Sequence, residues 1–254
     1  MAERVDRLHL EKYSIIQDSE CFCYGIDAVL LADFIIKNSI SSYQDGLVSE
    51  REVFNVCDLG TGNGIIPILL AVQTNKSLSV TGIEIQEKLS DMAERSVKLN
   101  HLEKIIKIIN GDVKNIQKIL LEKDFDIVCC NPPYMKPLSG RQSSNTAKMI
   151  ARQEIKADLD DFVKAAKYLL KPNGRFFMIN RANRLDDIFF CLKKYGFNKI
   201  CFQMVKSFKE KDSSMVLICA EFDEDIKKTK KTDLIIYEAQ GQYTEEVKKI
   251  YKRQ

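Results

Sequence analysis

Residues 53–65 read VFNVCDLGTGNGI, an apolar run that leads into glycines at positions 60, 62 and 64. The run is rich in β-branched and aromatic residues and predicts a buried strand. The glycines allow a sharp turn and a close approach of a ligand to the backbone. A helical pattern, residues 65–73, begins directly after the turn. This order of strand, glycine turn and helix predicts an open α/β sheet that binds a ligand at the turn.

The same alternation of strand and helix continues along most of the chain. Strands are predicted over residues 53–58, 78–84, 104–109, 125–130, 175–180, 200–205 and 214–222. Helices are predicted over residues 27–36, 65–73, 86–100, 113–122, 159–170 and 184–195. A short turn at 206–212 makes the last two strands an antiparallel hairpin. We therefore predict an α/β, Rossmann-like fold: a seven-stranded, mostly parallel sheet with one antiparallel strand and helices on both faces.

Composition limits the class of protein. The chain has 254 residues, 45% of them hydrophobic and 30% charged, which can bury a substantial core. Its net charge of +3 excludes a uniformly polycationic nucleic-acid binder. No apolar run is long enough to span a bilayer, and residues 1–7 lack the apolar centre of a signal peptide. We predict one domain over 1–254, with an N-terminal cap at 1–50, a catalytic core at 51–222 and a charged extension at 223–254.

The eight cysteines are scattered, and several occupy strand-like apolar runs where cysteine acts as a small hydrophobic residue. Cys21 and Cys23 could bind a metal, but alternating core residues are the preferred interpretation. This usage predicts no metal site and a reduced, cytoplasmic protein.

The glycine turn could bind a dinucleotide or S-adenosylmethionine, or it could be a turn with a structural role alone. Dinucleotide spacing would place a glycine at position 65, which is Ile65. Asp58 would repel a pyrophosphate but suits the ammonium of a methionine moiety. Glu84, at the end of the second strand, could accept both ribose hydroxyls or act as a helix N-terminal acid. Asp112 could accept from the donor's adenine or cap the following helix. The candidate donor-binding residues are Asp58, Gly60, Gly62, Asn63, Glu84, Asp112 and Asn131.

The strand at 125–130 is followed by Asn131-Pro132-Pro133-Tyr134. An exocyclic amine becomes nucleophilic when two acceptors on its N–H groups localise its lone pair. The Asn131 side-chain oxygen and the Pro132 carbonyl could supply them, and consecutive prolines restrict the backbone there. Tyr134 offers a flat surface for an extruded base. The catalytic candidates are therefore Asn131, Pro132 and Tyr134, whereas an ordinary turn is the structural alternative.

Residues 135–157 interrupt the strand–helix rhythm with a basic loop. Its cations are Lys136, Arg141, Lys148, Arg152 and Lys156, against the single acid Glu154. Beside a base-binding site this loop predicts phosphate contacts, for which Lys136, Arg141, Lys148 and Arg152 are the candidates. A solvated loop face is the alternative.

At these residues the chain resembles the class I N6-adenine methyltransferases. The resemblance rests on residues 58–64, 82–86 and 131–134. It extends through residues 24–32, 150–155, 236–238 and 243–245 to the bacterial tRNA1(Val) adenine-N6 methyltransferases. It implies that S-adenosylmethionine is the methyl donor and that the acceptor is the adenine 3′ of the anticodon in a valine tRNA. Gln153 departs from the histidine often found in the family.

Three alternatives remain open. Glutamine methyltransferases of release factors use the same tetrapeptide but carry a helical N-terminal domain, whereas part of residues 1–57 here is strand-like. Ribosomal RNA or DNA adenine could replace tRNA, although DNA enzymes more often have aspartate at the position of Asn131. A non-catalytic RNA-binding scaffold would be expected to have lost part of one site.

Overall fold

The computed structural model describes residues 3–10, 12–21, 23–40, 53–74, 78–132 and 157–252. The strands of its main sheet are β3 (Phe54–Leu59), β4 (Leu78–Glu84), β5 (Ile106–Asn110), β6 (Phe125–Cys130), β7 (Leu170–Arg181), β8 (Lys199–Lys206), β9 (Ser213–Glu221), β10 (Lys227–Lys230) and β11 (Leu234–Ile235). They follow the order β5-β4-β3-β6-β7-β9-β8, and β10 and β11 lie on the outer edge of β8.

The predicted mostly parallel sheet is confirmed. Strand β9 alone among its seven central strands runs antiparallel to both neighbours, β7 and β8. The short connection between β8 and β9 explains this reversal, because a tight turn can join only antiparallel neighbours. The remaining central strands end at one edge of the sheet, where ligands of open α/β sheets bind.

Helices cover the two faces of the sheet. They are α1 (Ile26–Ile35), α2 (Ile65–Gln73), α3 (Glu87–Leu99), α4 (Leu159–Leu169), α5 (Leu185–Lys194) and α6 (Glu245–Lys252). Strand β6 shows why both faces need a cover, since Ile127 and Cys129 join the core beneath α1 and α2. Val128 and Cys130 join the core beneath α4 and α5. A strand buried on both faces reads as a continuous apolar run.

Two predicted elements were wrong in detail. The helix predicted over 113–122 is a 3₁₀ helix at Val113–Lys118, interrupted by non-helical angles at Asn115. Its buried residues, Val113 and Ile116, are three positions apart, which a 3₁₀ turn places on one side. Strand β7 begins at Leu170 instead of residue 175, because Leu170 pairs with Phe125 ahead of an irregularity in the ladder.

The N-terminal segment forms a hairpin of β1 (Glu3–Arg7) and β2 (Ser14–Asp18). The hairpin packs on α3 through hydrogen bonds from the Ile16 amide to Ser96 Oγ (3.0 Å) and from the Ser14 amide to Asn100 Oδ1 (2.9 Å). Helix α1 follows and continues into a π-helical turn, Ile36–Ile40. The N-terminal hairpin therefore lies against the helix that follows β4.

The charged extension predicted at 223–254 contains four short strands and a helix among its described residues. Strands β10 and β11 both pair in parallel with β8. A hairpin of β12 (Tyr237–Ala239) and β13 (Gln242–Tyr243) leads to α6, whose Val247 and Ile250 are buried. Among the described residues the main sheet therefore has nine strands, where seven were predicted. Within the described part of the chain, no helix is long and apolar enough to cross a bilayer.

Candidate active site

The glycine turn joins β3 to α2 and is tied to β4. The Gly60 and Thr61 amides both donate to the Ile83 carbonyl, at 2.8 and 3.0 Å. Gly60, Gly62 and Gly64 have φ of 72°, 59° and 84°, the left-handed region that favours glycine. A Cβ at Gly62 would meet nothing within 4 Å, whereas one at Gly64 would lie 3.2 Å from Ala93 Cβ. Gly64 therefore allows close packing on α3, and Gly62 borders open space.

Glu84 lies at the end of β4 and is 4% exposed. One carboxylate oxygen accepts from the Gly62 amide and the other from the Gln86 amide, both at 2.9 Å. Burial raises the pKa of Glu84, against the opposing effect of these two amides. The carboxylate thus fastens the glycine turn to the start of α3, and a ribose contact would use its remaining lone pairs.

Asp58 is fully buried at the end of β3. Its Oδ1 lies 3.5 Å from the Cys129 thiol, and its Oδ2 has no hydrogen-bond partner among the described residues. Burial raises the pKa of Asp58 to about 6. An unpaired buried carboxylate oxygen favours a neighbouring cation. This feature fits the ammonium group of S-adenosylmethionine.

Two other predicted donor residues make structural contacts. The Asp112 carboxylate accepts from the Lys114 amide at 2.9 Å and caps the 3₁₀ helix. The Asn63 side-chain amide donates to the Ile16 carbonyl of β2 at 3.3 Å. Asp112 follows Gly111, whose amide donates to the Glu84 carbonyl, so it lies at the same sheet edge as Glu84. The capping alternative for Asp112 is thus observed, and contact of either residue with the donor stays a prediction.

Asn131 and Pro132 directly follow β6, which pairs with β3 so that Cys130 lies opposite Leu59. Asn131 therefore begins beside Gly60, at the same edge as the glycine turn. Its Nδ2 donates to Asp27 Oδ2 at 3.1 Å. Tyr134 and the predicted RNA-binding residues Lys136, Arg141, Lys148 and Arg152 lie outside the described residues.

Asp27 contacts the predicted catalytic residue Asn131, although the sequence predicts no function for Asp27. It lies in the first turn of α1 and is 7% exposed. An acid in the first turn of a helix is ordinarily explained by the helix dipole, so the sequence alone indicates no chemistry for it. Its one sequence signal was its place in the 24–32 segment that carries the family resemblance.

Residues 46–195 match the family model described as methyltransferase small domain. A tRNA1(Val) (adenine(37)-N6)-methyltransferase of Porphyromonas gingivalis strain W83 is 26% identical over 247 residues, 95% of this chain and 91% of that protein. A protein of the same name from Aeromonas salmonicida is 23% identical over 76% of this chain and 79% of its own length. Among solved structures, a predicted O-methyltransferase of Agrobacterium tumefaciens superposes with a TM-score of 0.67 at 20% identity. It covers 89% of this chain and 95% of its own, a likeness of fold.

Proposed function

Because the chain belongs to the methyltransferase small domain family and is an enzyme of that class, we propose that it methylates the N6 amine of an adenine in tRNA, with S-adenosylmethionine as donor. The observation that carries this proposal is the position of Asn131 and Pro132 beside the glycine turn. Both follow β6, next to β3, so the acceptor and donor candidates share one sheet edge.

The donor half of the proposal rests on residues at the ends of β3 and β4. Asp58 would hold the ammonium of the donor, and the open side of Gly62 would allow a close approach to the backbone. Glu84 would accept from the ribose hydroxyls while retaining its amide hydrogen bonds. When bound, S-adenosylmethionine supplies an electrophilic methyl group, so the chain has to bind, orient and exclude water.

The acceptor half rests on the amide of Asn131 and the carbonyl of Pro132. An exocyclic amine that donates one N–H to each would have its lone pair directed out of the ring plane, toward the methyl group. This is positioning and electrostatic stabilisation and requires no side chain that removes a proton before transfer.

The choice of tRNA rests on relatives, because the curated proteins that align over most of this chain carry tRNA1(Val) (adenine(37)-N6)-methyltransferase as their name. We propose the corresponding adenine, 3′ of the anticodon in a valine tRNA, as the acceptor. The basic loop at 135–157, with a net charge of +4, is proposed to contact its phosphates.

The test incubates the purified protein and methyl-labelled S-adenosylmethionine with separate acceptors: unmodified valine tRNA transcript, ribosomal RNA and release factor. N6-methyladenosine is expected in the tRNA. A transcript in which guanine replaces the adenine 3′ of the anticodon should take up no label. Label in release factor or ribosomal RNA alone would overturn the proposed acceptor.

Asn131→Ala tests the catalytic assignment in the same assay. Loss of one positioned acceptor is expected to lower kcat by about 100-fold or more, and calorimetry measures separately any loss of affinity for S-adenosylmethionine, for which Asn131 is also a candidate. Asn173→Ala, an exposed asparagine in β7, is the matched control and should keep full activity. Equal kcat values for the two variants would remove Asn131 from the reaction.

A further inference from the structure

We infer that Asp27 is a positioning residue that fixes the side-chain amide of Asn131 in the one orientation useful for methyl transfer. The inference rests on the proposed function and goes beyond it, because it assigns a role to a residue of the N-terminal segment. Asp27 and Asn131 are 104 positions apart in the sequence, and their side chains meet at 3.1 Å.

The contact determines which way the amide faces. A carboxylate accepts hydrogen bonds and donates none, so only the nitrogen end of the Asn131 amide can face Asp27 Oδ2. The amide oxygen is then directed away from the carboxylate. In the opposite orientation the amide would present its N–H groups to the substrate amine. That amine is itself a hydrogen-bond donor and needs an oxygen to accept from it.

Asp27 is held in place by its own helix. Its Oδ1 accepts from the Ala28 amide at 3.0 Å, so its two oxygens serve two different donors. Gly25 makes room for this arrangement, because a Cβ there would lie 2.9 Å from Asp27 Oδ1. A buried carboxylate with both oxygens engaged is a rigid reference for the Asn131 side chain.

The variant Asp27→Asn should reverse the orientation. The introduced asparagine has one acceptor oxygen, whereas the aspartate has two. When that oxygen accepts the hydrogen bond from the Ala28 amide, the NH₂ group of the asparagine faces Asn131. The Asn131 amide would then turn over to offer its oxygen and would point its own NH₂ at the acceptor. Misplacement of this kind lowers kcat by about 100-fold.

The experiment compares Asp27→Asn with Asp33→Asn in the tRNA methylation assay. Asp33 is a matched control because it lies on the same helix, is also buried, and pairs at 2.8 Å with Lys37. Asp27→Asn is expected to lower kcat about 100-fold with little change in KM for tRNA or in affinity for S-adenosylmethionine. Asp33→Asn is expected to keep kcat. A kcat for Asp27→Asn within about threefold of the unchanged protein would overturn the inference.

Rescue separates positioning from a loss of folding. In the double variant Asp27→Asn with Asn131→Asp, the NH₂ group at position 27 can donate to one carboxylate oxygen at position 131. The other oxygen can then accept from the amine, so kcat should recover at least about tenfold over Asp27→Asn. Recovery no greater than expected from two independent substitutions would contradict the inference.

A readout without turnover follows the Asn131 side-chain amide by NMR, its signals being identified by their loss in Asn131→Ala. They should shift in Asp27→Asn and stay in place in Asp33→Asn; unchanged signals in both variants would contradict the contact. If the unsubstituted protein methylates no acceptor, the proposed function fails and takes the inference with it. If that protein is active and Asp27→Asn is equally active, the inference alone fails.

Discussion

Three buried carboxylates lie near the sheet edge that holds the proposed site, and their hydrogen-bond partners differ. Glu84 accepts from two backbone amides, and Asp27 accepts from one amide and from Asn131. Within the described part of the chain, Asp58 contacts a thiol with one oxygen, and its other oxygen has no hydrogen-bond partner. A buried carboxylate with little compensation destabilises the folded chain when it is ionised. We therefore expect Asp58 to lower the stability of the free protein and to favour the binding of a cationic ligand.

Asp58→Asn is expected to raise stability at neutral pH. The pKa of Asp58 is about 6 in the folded chain against an ordinary value of 3.8, so the folded state binds more protons between these values. The stability of the unchanged protein, relative to Asp58→Asn, is therefore greatest below about pH 4 and falls as the pH rises through about 6. Above that, the difference in stability should have changed in favour of the variant by an amount on the order of 3 kcal/mol relative to its value at low pH.

Urea unfolding of both proteins between about pH 4.5 and 8 measures this difference. Calorimetry at about pH 7.5, where Asp58 is ionised, provides the functional counterpart, since the variant should bind S-adenosylmethionine more weakly. A stability difference that is constant across this range would show that Asp58 does not titrate in it.

At the scale of elements, the β1–β2 hairpin is held against α3 by polar contacts of its backbone. Ser96 Oγ accepts from the Ile16 amide and donates to the Met92 carbonyl at 2.7 Å. The Asn63 side chain in the glycine turn donates to the Ile16 carbonyl. The hairpin is thus joined both to the helix after β4 and to the turn after β3, and its displacement would disturb the proposed donor site.

Ser96→Ala should loosen this attachment. The substitution leaves the buried Ile16 amide without its acceptor, which costs about 1 to 3 kcal/mol of unfolding free energy. Hydrogen exchange should increase across β1 and β2 more than across β6. Ser90→Ala is the matched control, a buried serine of the same helix that is not the acceptor of the Ile16 amide. Equal exchange in the two variants would contradict the anchoring role of Ser96.

At the scale of the whole molecule, the C-terminal segment covers the far edge of the sheet. Strands β10 and β11 occupy successive parts of β8, so its outer edge is paired. Rings from three parts of the chain then contact one another in series, in the order Phe208, Tyr237, Tyr243, Tyr251 and His9. This series ties the C-terminal segment to the N-terminal one.

Ile250→Ala should therefore destabilise the protein as a core substitution does. Ile250 is 2% exposed and belongs to the same buried cluster as α1 and α2. The expected loss is about 2 to 4 kcal/mol in urea unfolding. Ile226→Ala in the same segment, where Ile226 is 54% exposed, should change the free energy of unfolding by less than about 0.5 kcal/mol. Similar values for both would mean that α6 contributes no core packing.

The sequence predicts well those parts of the molecule whose conformation depends on residues adjacent in the chain. The strand at 53–58, the glycine turn and the helix at 65–73 correspond closely to β3, the turn and α2. The periodicity and glycine positions within each element are enough to indicate its conformation. The tetrapeptide after β6 is likewise local, and β6 was predicted at its observed limits.

The fold class, the strand that bears the acceptor motif and the glycine turn proposed for the donor could all be predicted from the residue pattern. The contact of Asp27 with Asn131, the structural contacts of Asn63 and Asp112, and the two C-terminal strands that extend the sheet became visible in the folded chain alone. This division arises because periodicity indicates which face of an element is buried. The partner of a buried polar group depends instead on the register of elements far apart in the chain, which is set when they pack.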